Sequence, residues 1–233
     1  MGKRLKENAL KAFYKSDVAQ LATEPLCDRL PTILSQDWLL DAETTAPQMA
    51  YACGNTFLTA GNFAAAILPY QLFLENYPDH VLTALVEASY AQAAIGEAKA
   101  SGAGVLPPPN PTGYTYGENT VVAIANGSPE SMRIIFSGPE PRFEELPPCE
   151  TCKVHSAPPV ESSCSESSPA GVYQLLPGDY QVLVRSVSDR KVTPFTGEWT
   201  LASGVGYAEC FHIVRNPPSS TNEDKQPEPI PLQ

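Results

Sequence analysis

The residues with most chemistry to offer are six cysteines and three histidines in a chain of 233 residues. Four of the thiols lie in the second half, where Cys149 and Cys152 bracket a Cys-Glu-Thr-Cys turn, Cys164 follows, and Cys210 comes near the end. Two chemistries suit them. A CxxC turn presents two thiolates to one tetrahedral ion, so Cys149, Cys152, Cys164 and Cys210 can close a structural zinc site, the sole cofactor in prospect. The same thiols can instead form two disulfides that staple the surrounding segment to the last strand. The irregular spacing after a single CxxC favours disulfides over zinc, but zinc and free thiols both stay open. His155 follows the pair, and strand alternation puts His212 on the face of Cys210, opposite Tyr207, Phe211 and Ile213. A redox-active CxxC is not expected, because no βαβ pattern or helix N-terminus is there to depress a thiol pKa.

Catalysis needs a nucleophile with a base, a carboxylate pair or an open metal site. The chain has no GxSxG, HExxH, Walker loop or GxGxxG, and His80, just after Pro78-Asp79, reads as a helix-start residue. Glu140, Glu144, Glu145, Glu150, Glu161 and Glu166 read as a solvated face, with a weak calcium or basic-protein contact as the alternative. We therefore expect a non-catalytic protein. Fifteen Lys+Arg against 26 Asp+Glu give a net charge of −11, which disfavours nucleic acid and anionic membrane as partners. No apolar run is long enough to span a bilayer. The first twenty residues show no signal-peptide pattern, which fits a cytoplasmic protein if Met1 is the true start and an extracytoplasmic one if the chain is processed. An even cysteine count fits the second case. The single Asn126-Gly127-Ser128 sequon is expected by chance.

The elements that must position these residues divide at a compositional step. Five of the 24 prolines fall in residues 1–104 and nineteen beyond, and proline is confined to helix starts, turns and edge strands. We expect an α+β chain of two segregated domains: helical hairpin repeats over 1–104, a proline-rich linker over 105–117, an antiparallel β-sandwich over 118–215 and a disordered tail over 216–233. In the first, apolar spacings of three and four predict helices near 5–15, 17–34, 47–60, 62–77 and 80–100. Pro25 and Pro31 would break the second of these, and Pro69 should kink the fourth. Ala50, Cys53, Gly54 and Phe57 form one helix face, and Phe63, Ala66, Tyr70 and Phe73 the answering one.

That order of small, Gly, aromatic, Ala, aromatic and Pro positions over 48–78 resembles the tetratricopeptide repeat, and the run YQLFLENYPDHVLTALVEASYAQAAIG is similar to bacterial envelope members of that family. The resemblance implies a concave groove lined by Tyr51, Asn55 and Leu58 that binds a peptide or partner helix, within a larger assembly. In the second half, TVVAIANG, SMRIIFSG, GVYQLL, DYQVLVRSV, GEWTLAS and YAECFHIV are short strands between turns. Pro177 and Gly178 suit the centre of a type II turn, with Tyr180, Val182 and Val184 alternating inward. This LPGDYQVLV unit resembles the hairpin of bacterial immunoglobulin-like and carboxypeptidase-regulatory-like domains, which implies a fold and no activity. An insert from Pro139 to Ala170 carries three of the cysteines. The function expected is a protein-binding scaffold subunit. The alternative is an extracellular glycan- or surface-binding module, against which burial of Tyr180, Trp199 and Tyr207 would count; Trp38, like Trp199, reads as a core residue.

Overall fold

A computed structural model describes residues 22–35, 45–115, 117–156, 164–165, 167–187 and 192–214. The helix expected over 5–15, Trp38 and the tail from 216 lie outside them. Within them the chain is α+β, with helices in the N-terminal part and two mixed sheets in the C-terminal part.

The helix expected to reach residue 34 is two short ones, α1 (Glu24–Cys27) and α2 (Leu30–Leu34), each with a proline in its first turn. Proline costs least in a helix's first turn, and Pro25 and Pro31 each sit at the start of a new helix. Then come α3 (Thr45–Thr59), α4 (Phe63–Asn76) and α5 (Thr83–Ala100). Gly61, at φ +74°, turns the chain between α3 and α4, and the Asn62 side chain accepts the Ala65 N–H at 3.4 Å to cap α4. α4 runs through Pro69 as one helix. The faces read from periodicity pack except at Phe63: Ala50, Cys53, Gly54 and Phe57 are buried against Ala66, Tyr70 and Phe73, while the part-buried Phe63 lies over Gly96 of α5. Gly54 is there because the Tyr70 ring lies directly over it; a Cβ would overlap the ring. The Tyr70 hydroxyl donates to Asn55 Oδ1 at 2.7 Å.

α5 departs from the repeat. Val86, Tyr90 and Ala93 join the helical core, while Ala91, Ala94, Ile95 and Ala98 pack with Ile135 and Leu183 of the β part. A second repeat would need that alanine face for another helix. Here it lies on a sheet, and no repeat array is evident among the described residues.

The first sheet has the order β1-β8-β7-β4-β5, made of Gly104–Val105, Phe195–Leu201, Gly178–Ser186, Met132–Ser137 and Arg142–Leu146. The second has the order β2-β9-β3-β6, made of Asn110–Tyr114, Val205–Phe211, Thr120–Asn126 and Ala170–Leu175. Val122, Ile124, Tyr173, Leu175 and Phe211 of the second sheet share one core with Ile134, Phe136, Tyr180, Val182, Val184 and Trp199 of the first. The sheets are not purely antiparallel as expected: β1 runs parallel to β8 and β3 parallel to β9. Parallel neighbours need a crossover, and the chain supplies one because β8 belongs to the first sheet and β9 to the second.

Two expected boundaries move. The stretch read as a linker contributes β1 to one sheet and β2 to the other, with Leu106 buried between them and Pro107 O accepting from Trp199 Nε1 at 2.8 Å. The segment read as an insert opens with β5, which pairs with β4 so that Arg133 faces Glu145 at 3.1 Å. Only the chain after Leu146 is left to cross to β6 on the other sheet.

Candidate functional site

The cysteines are oxidised in three pairs, Cys27–Cys53, Cys149–Cys152 and Cys164–Cys210, and none is free. Cys27–Cys53 joins α1 to α3 inside the helical core. The four thiols of the second half are taken up in two separate bonds, not gathered as one four-sulfur set. Only one of those bonds staples as expected: Cys164–Cys210 ties the crossing segment to β9, whereas Cys149–Cys152 closes its own CxxC turn.

The crossing segment is anchored at Asn126, at the end of β3. Its fully buried side chain donates to Glu130 O and Pro147 O, both at 2.8 Å, and accepts from Ser128 N–H and Ser128 Oγ at 3.0 and 2.7 Å. The sequon asparagine is thus a turn organiser that bridges two loops. Cys149 N–H donates to Ser128 O at 2.8 Å, hanging the CxxC turn from the same node.

Beside it, the densest chemistry lies around Cys164–Cys210. His212 Nε2 is 3.0 Å from Cys210 Sγ, and His212 Nδ1 is 3.4 Å from Gly127 O. The Gly127 carbonyl and the disulfide sulfur can both only accept, so the neutral ring presents its one N–H to one of them and a lone pair to the other. His155 is brought in by a bridge to Val214, with its N–H on Ile213 O at 2.9 Å, and its ring stands edge-on to His212 at 5.0 Å. Burial holds His212 below its ordinary pKa; the Gly127 carbonyl opposes this and His155 adds to it. Glu209, which points inward opposite Ile124, is pushed up by burial although its carboxylate accepts from Cys210 N–H. The shared face of Cys210 and His212 was legible from alternation. The approach of His155 and the Gly127 carbonyl was not, because both come from distant segments that no local pattern connects.

The groove residues take other roles. Asn55 is engaged by Tyr70, and Tyr51 and Leu58 pack partly buried against the helical core. His80 acts at the helix start as expected, its Nδ1 accepting from Leu82 N–H at 3.2 Å. Tyr180 and Trp199 are buried, and Tyr207 packs on the same core with its hydroxyl accepting from Ala202 N–H. These three do not form an exposed aromatic row.

Among the described residues one surface is left open. The inward residues of β3 alternate with Val121, Ala123 and Ala125, which face outward and are half-exposed. Across the ladder Ala123 is in register with Ala208 on β9 and Val172 on β6, and Ala125 with Cys210 and Ala170. The outcome is a sheet face of small apolar side chains, with Gln174 beside Val121 and with Val172 projecting from it, 68% exposed. The other sheet has α5 on its outer face; among the described residues no helix lies on this one.

No protein family, curated protein or solved structure matches the chain. With the α5 packing and the mixed sheets, this overturns both resemblances drawn from sequence, to tetratricopeptide repeats and to the bacterial immunoglobulin-like or carboxypeptidase-regulatory-like domains. Among the described residues no helix is long and apolar enough to cross a membrane.

Proposed function

We propose that this chain is a non-catalytic protein-binding subunit that works in an oxidising compartment, and that its partner docks on the outer face of β2-β9-β3-β6. The observation that carries this is the register-aligned patch of Val121, Ala123, Ala125, Val172 and Ala208. Small side chains on one surface suit bulky apolar residues on the other, as the alanines of α5 do against Ile135 and Leu183 within the molecule. An uncovered apolar sheet face is a common mark of an interaction site. The net charge of −11 favours a partner whose contact surface is rimmed with Lys and Arg. Pairing of all six cysteines supports the compartment. Burial of Tyr180 and Trp199 weighs against the glycan-binding alternative.

A photoreactive amino acid at position 123 should give one adduct of defined mass in the cells that make the protein. Val172→Glu should remove it, and Leu85→Glu, on the exposed side of α5, should not. Loss of the adduct in the Leu85 variant alone, or equal labelling from positions 123 and 85, would overturn the reading.

A further inference from the structure

We propose that Cys164, Cys210 and His212, with His155 beside them, form a site for a soft or borderline divalent metal that opens when the Cys164–Cys210 disulfide is reduced. It goes beyond the docking surface and does not depend on it. The ligand atoms of Cys164, Cys210 and His212 all lie within 4.8 Å of one another. Ligand atoms on a tetrahedral Zn²⁺ are about 3.3 to 3.8 Å apart, so breaking the S–S bond and parting the sulfurs brings the set close to that geometry. The imidazole is already aimed: Nδ1 faces Gly127 O while Nε2 faces Cys210 Sγ at 3.0 Å, the outer-shell arrangement that orients a metal-binding histidine. Gly127 leaves the room, since a Cβ there would stand 2.6 Å from His212 Nδ1 and 3.0 Å from Cys164 Sγ. The His155 ring, 5.0 Å from that of His212, offers a fourth ligand to complete a Cys₂His₂ set.

This disulfide is also within a reductant's reach. Cys27 and Cys53 are buried and Cys149–Cys152 exposes only its Cys152 end, whereas Cys164 and Cys210 are both part-exposed. A dithiol attacks one sulfur, the other leaves as a thiol, and the second dithiol sulfur closes the reductant's own disulfide: two electrons and two protons pass to Cys164 and Cys210. Binding M²⁺ then releases those two protons, and two thiolates neutralise the ion.

The test uses the full chain carrying Cys149→Ser and Cys152→Ser, reduced with a phosphine that does not chelate and titrated with Co²⁺. We expect one equivalent bound, with thiolate-to-cobalt charge transfer and tetrahedral visible bands, none of it before reduction, and at least ~10-fold weaker binding in His212→Ala. The same spectrum before reduction, or unchanged affinity in His212→Ala, would overturn the proposal. A second measurement needs no variant: in the reduced native chain, Zn²⁺ should protect Cys164 and Cys210 from alkylation and leave Cys149 and Cys152 open. Protection of Cys149 and Cys152 instead would equally overturn it.

Discussion

Asn126 illustrates how much one side chain can hold when all its hydrogen-bonding capacity is used. Its amide donates to the two carbonyls, Glu130 O and Pro147 O, that fix where the crossing segment leaves the first sheet. Asn126→Asp keeps the shape but exchanges those donors for an acceptor, so Pro147 O loses its Asn126 donor, Glu130 O is left with Ser128 Oγ, and the new carboxylate oxygen is set against both carbonyls. We expect a loss of about 2 to 4 kcal/mol in urea unfolding. Tyr70 gives a prediction in pH. Burial raises its phenol well above the ordinary value of 10.0, only partly offset by Ser89. The unfolded chain therefore gives up this proton at lower pH than the folded one, and its contribution, present below pH 10, is lost as pH rises further. Tyr70→Phe should flatten the fall in stability above pH 10 while costing about 1 kcal/mol at neutral pH through the bond to Asn55. Both residues were singled out in the sequence, Tyr70 as a face position and Asn126 only as part of a sequon. The partners that give them weight were not, because hydrogen bonds to remote carbonyls leave no periodic trace.

The disulfides act on very different lengths of chain. Cys27–Cys53 spans 26 residues and is the covalent tie between the short α1 and the hairpin, whereas Cys149–Cys152 spans three. On loop-closure entropy, replacing Cys27 and Cys53 by Ala should cost about 3 to 4 kcal/mol, and replacing Cys149 and Cys152 by Ser about 2 kcal/mol or less. Thermal melts of the two double variants check the order. Which elements could be read follows from how each is packed. α3, α4 and β7 bury a regular face, and Tyr180, Val182 and Val184 alternate as that requires. β1 and β2 were missed because edge strands admit proline and need no buried face; β2 is exposed throughout. β5 was missed because Arg142-Phe143-Glu144-Glu145 reads as a charged loop, while its apolar member, Phe143, turns outward to stack on Tyr90 of α5 at 5.3 Å. The consecutive Ile134-Ile135-Phe136 and Val182-Leu183-Val184 have the pattern of strands covered on both faces, which a reading by alternation alone passed over. Ile135 and Leu183 proved to be the positions under α5.

That contact makes the helical and β parts depend on each other. α5 gives one side to the hairpin and the other to Ile135 and Leu183, so loss of either part uncovers apolar surface on the other. We expect helical circular dichroism and Trp199 fluorescence, followed in a Trp38→Phe background, to report one shared unfolding transition. Leu183→Asp should place a carboxylate under α5 and separate the two curves, with the helical signal lost first. The proline-rich segment 105–114 has a further consequence, in the order of synthesis. It is made before either sheet exists, yet β1 pairs with β8, β2 pairs with β9, and Leu106 needs the core between them. β3 also waits for β9 along one of its edges. A nascent chain that has not yet passed residue 194 therefore carries these strands with partner edges vacant, and closure waits for residues 195–211.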